Sequence, residues 1–171
     1  TGGGKSSVIN TLFRAERAAV DVLPSTDAIQ SYRWQGEQMP AVKAGGEALT
    51  LWDTPGYEQV ERSDLRSQVI GYATQADLLL LVTPALDPAL QMDADFLQAM
   101  RDEVTDLPVI AVVNQVDKLR PIREWSPPYH WKTGAWPKEA SIRDAVAYRA
   151  EQLGDFCEQI FFVDFVLIML I

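Results

Sequence analysis

The first seven residues constrain this chain more than any other feature of its sequence. They fit the second half of the pattern G-x-x-x-x-G-K-[ST], with the first glycine expected upstream of Thr1. Glycines let successive backbone N–H groups approach phosphate oxygens, a lysine adds positive charge, and a serine adds a hydroxyl that can bind Mg²⁺. The simpler alternative is a glycine-rich turn that precedes a helix by chance. We predict a phosphate-binding loop at residues 1–7, with ligand contacts from Gly2, Gly3, Gly4, Lys5, Ser6 and Ser7.

An apolar stripe directly after the loop predicts the helix that such a loop requires. Val8, Ile9, Leu12 and Phe13 recur at helical spacing. The N-terminus of a helix at this place would point its N–H groups and the positive end of its dipole at bound phosphates.

A second motif follows a short strand-like run at residues 49–52. Residues 53–56 read D-T-P-G and fit the pattern D-x-x-G. An acidic residue at a strand end, here Asp53, can hold Mg²⁺ through water, and a neighbouring glycine, here Gly56, can turn its N–H towards a γ phosphate. By itself this sequence is also a good turn after a strand.

A third motif follows the apolar run 108–113, which is typical of a parallel strand buried on both faces. It reads Asn114, Gln115, Val116, Asp117. With these motifs in this order, the chain resembles the G domain of the P-loop GTPases, and among them the Era-like, septin-like and dynamin- or immunity-related groups. The resemblance implies an α/β fold, the three-layer P-loop NTPase G domain with a mostly parallel central sheet. We expect its first strand and its C-terminal end to be missing.

The resemblance implies GTP or GDP as ligand, read by the N-K-x-D motif of the family. There the aspartate accepts hydrogen bonds from the N1–H and 2-amino groups of guanine, a role that falls to Asp117, with Asn114 in support. The family's lysine, whose stem packs on the base, is replaced by Gln115. An amide can still lie over a purine, so we expect weaker affinity and unchanged specificity. Gln115→Lys should then raise GTP affinity, and an unchanged affinity would contradict this interpretation.

The resemblance also implies Mg²⁺ and two switch segments, which we expect at 14–28 (switch I) and 53–74 (switch II). Thr26 is expected to close on Mg²⁺ in the triphosphate state, although Ser25 could be the ligand instead and either could be a plain loop hydroxyl. The expected metal ligands are Ser6, Thr26 and Asp53. The residues expected to act in catalysis are Lys5, Thr26 and Gly56.

Tyr57 stands where Ras-type GTPases carry the glutamine that orients the attacking water. A phenol cannot copy that amide. We therefore expect a Mg²⁺-dependent switch that hydrolyses GTP slowly to GDP and phosphate until a partner or self-association activates it. Glu58, Gln59 and Glu61, a partner's arginine or a second copy of the chain could complete the site. The alternatives are a guanine-nucleotide-binding module without hydrolysis, and a P-loop ATPase, which Asp117 disfavours.

Composition agrees with a cytoplasmic switch of one domain. The chain has 171 residues, 47% of them hydrophobic, and a net charge of −9. This length predicts one domain with a sizeable core, and the acidic balance disfavours direct nucleic-acid binding through a basic face. The lone cysteine, Cys157, excludes an internal disulfide and is expected to pack near the last strand. The apolar end 166–171 is too short to span a membrane. It could begin a membrane-inserting segment or be a strand that runs into a truncated end, and we favour truncation. Membrane association and a homodimer stay open.

Strand-like and helix-like patterns alternate along the chain, as expected for a mostly parallel sheet with helices on both faces. Strands are predicted at 29–35, 48–52, 78–82, 108–113 and 159–165. The four-residue spacing of Met92, Phe96, Met100 and Val104 predicts one face of a helix. Two further helices are marked by Leu65, Val69 and Tyr72, and by Ile142, Val146 and Leu153.

The segment 118–138 is unusually rich in proline and tryptophan, with four of the former and three of the latter. Long irregular connections are commonly functional or mobile. Because exposed tryptophans are unfavourable, we favour aromatic side chains that fold back onto the domain as a separate cluster. The alternative is a partner or self-association surface beside the base pocket.

Overall fold

The computed structural model describes residues 4–13, 29–34, 49–54, 63–87, 90–122 and 137–162. Strands and helices alternate through these ranges, as the sequence predicts. In chain order they are α1 (Lys5–Phe13), β1 (Gln30–Trp34), β2 (Leu49–Asp53), α2 (Ser63–Ala73), β3 (Leu79–Pro84), α3 (Gln91–Glu103), β4 (Val109–Asn114), a 3₁₀ turn (Val116–Lys118), α4 (Pro137–Leu153) and β5 (Gln159–Phe162).

The three strands β3, β4 and β5 form a parallel sheet with β4 in the centre. β4 is the unbroken apolar run of the sequence, and its Ala111 and Val113 are 0% exposed. Such a strand is paired on both edges and covered on both faces, which is the environment that parallel strands require. The register sets Pro84 beside Asn114, so the carboxyl ends of β3 and β4 meet at one edge of the sheet. The α/β fold with a parallel sheet is thus confirmed.

β1 and β2 form an antiparallel pair, with Gln30 opposite Asp53 and Trp34 opposite Leu49. The strands predicted at 29–35 and 48–52 are therefore neighbours, as expected. α1 lies against β2. Asp53 is the last residue of β2, and this position brings its side chain to the first turn of α1.

A hydrophobic core cluster lies between α2, α3 and the parallel sheet. Cys157 packs against it just before β5, as predicted, and burial raises the pKa of its thiol to about 11. The buried members of the cluster are Val69, Ala73, Leu81, Leu90, Phe96, Leu97, Met100, Val109 and Leu153.

The predicted core face of α3 is wrong at both ends. Met92 is 52% exposed, and Val104 follows the last residue of the helix. A helix turns by about 100° per residue, so a strict four-residue spacing drifts by about 40° at each step and leaves the core. Leu97, next to Phe96, completes the buried face instead.

A second, smaller cluster lies between the end of β4 and α4. Val116 of the 3₁₀ turn is fully buried there and anchors the turn against the helix. α4 begins at Pro137, so the last two residues of the segment 118–138 are helical. Proline suits the start of a helix, where its missing N–H costs no hydrogen bond. The buried members are Ala85, Val113, Val116, Leu119 and Ile142.

A buried arginine joins α4 to the end of β3. Arg149 is 1% exposed, and its guanidinium donates to Oγ1 of Thr83 at 3.0 Å and to the carbonyls of Pro84 at 2.5 Å and Asp87 at 2.9 Å. Asp93 is buried as well. Burial raises the pKa of the Asp93 carboxyl to about 6, against the opposing effect of the Arg149 charge.

Within the described ranges, no helix is both long enough and apolar enough to cross a membrane.

Candidate functional site

The first turn of α1 forms one side of the candidate site. Gly4 precedes it with a φ of 84°, a conformation that glycine adopts without strain. The Gly4 carbonyl accepts from the N–H of Val8 at 2.9 Å, so the helix starts directly after the loop. Val8 and Ile9 are buried, as their spacing predicts. The helix is thereby held with Lys5 at its N-terminus, where the dipole favours a bound anion.

Ser6 and Asp53 meet at this end of the helix. The Ser6 hydroxyl donates to Oδ2 of Asp53 at 2.7 Å, across the contact between α1 and β2. Asp53 is 2% exposed, and its Oδ1 has no hydrogen-bond partner among the described residues. Burial raises the pKa of the Asp53 carboxyl, while the Ser6 hydrogen bond and the Lys5 charge oppose that rise.

This pair of side chains fits a Mg²⁺ site. A buried carboxylate oxygen without a donor is unfavourable unless a proton or a cation compensates it. Mg²⁺ takes oxygen ligands, and proteins bind it through one or two carboxylates together with water and substrate phosphates. The Asp53 carboxylate and the Ser6 hydroxyl supply oxygens of this kind, and the nearby Lys5 charge favours the ionised carboxyl.

The other side of the site is the carboxyl end of β4, which contacts the phosphate loop directly. A Cβ on Gly4 would overlap with Nδ2 of Asn114, so only a glycine leaves room for that amide. Asn114 is 1% exposed, and its carbonyl accepts from the N–H of Ala85 at 2.7 Å. The first and third motifs of the sequence are therefore in van der Waals contact in the folded chain.

Gln115 and Asp117 follow Asn114 in a tight turn. Gln115 has a φ of 60°, and its Oε1 accepts from Nζ of Lys118 at 2.9 Å. Its Nε2 lies 3.9 Å from the place that a Cβ of Gly4 would occupy. Asp117 is half-buried in the 3₁₀ turn, beside the buried Val116. The glutamine that replaces the lysine of the family thus lies next to the phosphate loop.

Lys138 is a residue of this region that the sequence motifs do not identify. It lies in the first turn of α4, is 0% exposed, and donates from Nζ to the carbonyl oxygens of Asp117 at 2.5 Å and Pro121 at 3.3 Å. No pattern in the sequence identifies it, because a single lysine after a proline at the start of a helix is expected to be exposed to solvent.

Several predicted site residues lie outside the part of the chain that the structure describes. Ser7 is described and half-buried in the first turn of α1. The roles expected of the other residues, in binding, catalysis and activation, stay predictions. Those outside the described ranges are Gly2, Gly3, Ser25, Thr26, Gly56, Tyr57, Glu58, Gln59 and Glu61, together with the aromatic residues at 125–136 and the apolar end 166–171.

Known proteins are similar to this chain in sequence. Residues 1–115 match the sequence model of a family described as 50S ribosome-binding GTPase. The chain is 32% identical over 122 residues to the tRNA modification GTPase MnmE of Roseiflexus castenholzii, an alignment that covers 68% of this chain and 23% of that protein. It is 33% identical over 125 residues to YkfA of Escherichia coli, an uncharacterized protein, covering 71% of this chain and 40% of YkfA. The chain therefore spans less than half the length of either relative.

A solved structure shows the same fold. A dimerization-deficient mutant of Toc33 from Arabidopsis thaliana superposes with a TM-score of 0.61 at 17% identity, over 96% of this chain and 67% of that one. At this identity the likeness concerns the fold alone.

Proposed function

The chain belongs to this GTPase family, and from that membership we propose that it is a cytoplasmic molecular switch that binds GTP and GDP with Mg²⁺ and hydrolyses GTP to GDP and phosphate. The observation that carries the proposal is the contact between Gly4 and Asn114. It supports the proposal because the start of the helix assigned to the phosphates lies beside the turn assigned to the base. The Ser6 to Asp53 hydrogen bond on the same helix adds an oxygen site for the metal ion.

Base selection is assigned to Asp117. A carboxylate accepts two hydrogen bonds, and guanine offers the N1–H and the 2-amino group side by side, whereas adenine offers no such pair. Gln115 is assigned to contact with the base and Asn114 to support of the turn. The buried Asn114 amide beside Gly4 supports this division, because it can fix the turn relative to the phosphate loop.

Phosphate binding is assigned to the loop and the start of α1. Lys5 at the helix N-terminus supplies positive charge for the β and γ phosphates, and Gly2, Gly3 and Ser7 complete the cradle. Ser6 and Asp53 would hold Mg²⁺, with Thr26 closing in the triphosphate state. When bound, this ion would neutralise negative charge on the β and γ phosphates. Gly56 is assigned to sensing the γ phosphate through its N–H.

We propose slow intrinsic hydrolysis that is activated by a partner or by self-association. Tyr57 supports this, because a phenol in place of a glutamine does not orient the attacking water. A second copy of this chain is the activator to test first, because it needs no unidentified partner. Hydrolysis per protein molecule should rise with protein concentration, and a fast rate that is independent of concentration would contradict this.

A second candidate is a guanine-nucleotide-binding module without turnover. Tyr57 and Gln115 are the observations that favour it, because Tyr57 stands where Ras-type GTPases are expected to carry a glutamine and Gln115 where the N-K-x-D motif has a lysine. Single-turnover hydrolysis with and without added activator separates the two candidates. The proposal does not extend to RNA or ribosomes, since the chain aligns with 23% of a tRNA modification GTPase and carries a net charge of −9.

The direct test is competition for fluorescent GDP in the presence of Mg²⁺. GTP should displace it and ATP should not. In Asp117→Asn, preference should move towards xanthosine diphosphate, because xanthine has a carbonyl in place of the 2-amino group and an amide can donate to it. Asp102→Asn, on an exposed site of α3, is the matched control and should keep the native preference. Equal competition by ATP, or no binding of GDP, would overturn the proposal.

A further inference from the structure

A buried lysine outside every motif contacts the backbone of the proposed guanine reader. Lys138 Nζ donates to the carbonyl oxygens of Asp117 and Pro121, at 2.5 and 3.3 Å, and the residue is 0% exposed. Burying an ammonium group is strongly unfavourable unless its donors are paired. A cation at this place is therefore a costly feature, and an apolar residue of similar size would have filled the same space without that cost.

In a regular helix, the carbonyl of Asp117 would find no N–H donor four residues further along the chain. The 3₁₀ turn is closed by the N–H groups of Lys118 and Leu119, at 3.1 and 3.2 Å from their acceptors. An α-helical continuation would pair the Asp117 carbonyl with residue 121, which is a proline and has no N–H. The Lys138 ammonium donates to that carbonyl instead.

Two buried groups therefore restrain the backbone at Asp117. Val116, immediately before it, is 0% exposed in the second core cluster, and Lys138 holds its carbonyl from α4. The carboxylate itself is left half-buried. With the backbone held at both points, the Cα–Cβ bond of Asp117 keeps its direction, and this direction sets where the carboxylate can reach a two-donor edge.

We propose that Lys138 is a positioning residue for guanine recognition: it orients Asp117 through its carbonyl and does not touch the nucleotide. The inference rests on the proposed function, and it predicts an effect on the base alone. Phosphate binding is assigned to a different element, α1, and should be unaffected.

The experiment measures the dissociation constants of Mg²⁺·GDP and Mg²⁺·pyrophosphate for the full-length protein and for Lys138→Met. Pyrophosphate reports on the phosphate loop without a base. We expect the variant to bind GDP about tenfold more weakly, the loss of one charge-assisted hydrogen bond to the turn, and pyrophosphate with unchanged affinity. Its preference for GDP over ADP should fall by a similar factor.

Arg149→Met is the matched control, because it removes the other fully buried cation of the same helix. It should lower the melting temperature at least as much as Lys138→Met while leaving the ratio of GDP to pyrophosphate affinity at the native value. If Lys138→Met does not fold, Lys138→Gln, which keeps a neutral donor on a shorter stem, should show a smaller loss in the same ratio.

The outcomes are distinguishable. An unchanged GDP affinity, or equal losses for GDP and pyrophosphate, would overturn the positioning role while the native protein still prefers GDP. A change in the ratio of GDP to pyrophosphate affinity in Arg149→Met as well would overturn the positioning role too, because any loss of a buried cation from α4 would then weaken base recognition. A native protein without preference for GDP over ADP would overturn the proposed function and this inference with it.

Discussion

Gly4 is the residue at which the phosphate loop meets the end of β4, and an alanine there tests the contact. A Cβ would overlap with the Asn114 amide, and the φ of 84° is unfavourable for an L side chain. We expect Gly4→Ala to abolish measurable GDP binding and to lower the free energy of unfolding by about 1–3 kcal/mol. Fluorescence titration and urea unfolding measure the two effects.

Gly71→Ala is the control for Gly4→Ala, since a Cβ on Gly71 of α2 would meet no atom within 4 Å. It should be as stable as the native protein or more stable by about 0.5–1 kcal/mol, the usual gain in a helix. A Gly4→Ala protein with native GDP affinity would show that the site does not use this contact.

The hydroxyl of Ser6 can be tested separately. Ser6→Ala removes the donor to Asp53 at 2.7 Å, so the pKa of that carboxyl should rise further and its hold on a cation should weaken. We expect Mg²⁺ to lose its ability to strengthen GTP binding, as measured by titration with Mg²⁺ and with a chelator. Ser141→Ala, an exposed hydroxyl of α4, should behave as the native protein. Undiminished Mg²⁺ dependence in Ser6→Ala would argue against a metal site here.

At this scale the sequence predicts residues whose chemistry depends on their immediate neighbours along the chain. Ser6, Asp53 and Asn114 each belong to a short motif, and the structure brings Ser6 to Asp53 and the phosphate loop to Asn114. Lys138 was not predictable, because its role depends on a carbonyl 21 residues away in the sequence and on a proline that lacks a donor.

Among the elements, α4 offers the sharpest test of packing. Arg149→Met leaves Thr83 and the carbonyls of Pro84 and Asp87 without their guanidinium donor in a buried place. We expect the free energy of unfolding to fall by about 3 kcal/mol, as for other broken buried polar networks. Arg143→Met removes a guanidinium that is 62% exposed, although its partner Glu139 is only 13% exposed, and it should cost less, about 1 kcal/mol. Equal losses in urea unfolding would contradict the structure.

The pairing of α3 with α4 also predicts a pH dependence. The pKa of Asp93 is raised from its ordinary value of 3.8 to about 6, so its contribution to stability is present at low pH and is lost as pH rises through 6. Asp93→Asn removes this dependence. Its stability relative to the native protein should therefore increase by about 1 kcal/mol between pH 5 and pH 7.5.

Urea unfolding of both proteins at the two pH values checks this expectation. Asp95→Asn, on the exposed side of α3, serves as control and should track the native protein. A constant difference between Asp93→Asn and the native protein would mean that the carboxyl titrates normally.

The elements themselves were predictable where hydrophobic pattern decides them. β3 and β4 follow from apolar runs, and β4 is buried on both faces. β1, which reads QSYRW, and its pairing with β2 follow from their order along the chain and the glycines and proline between them. The faces of helices were less predictable. Apolar spacing finds Ile142 and Leu153 on α4, but it cannot find Lys138 and Arg149, which are charged and share the same buried face.

For the whole molecule, nucleotide binding should act as a global stabiliser. The proposed site draws on α1 and β2 as well as on β4 and its turn, so a ligand that bridges them favours the folded state as a unit. At about 100 times its dissociation constant, GDP should add about 2.7 kcal/mol and raise the melting temperature by about 5–10 °C. Thermal unfolding with Mg²⁺·GDP and with Mg²⁺·ADP measures this. An equal shift with ADP would show that the base is not read.

The two buried cations of α4 have a mechanical consequence. Lys138 and Arg149 lie roughly 16 Å apart along the helix axis. Lys138 donates to the turn that carries Asp117, and Arg149 donates to the end of β3. Each set of hydrogen bonds restrains the part of the helix that makes it. We expect α4 to move together with both chain segments, and the Asp117 turn to stay held by Lys138 when the Arg149 contact alone is removed.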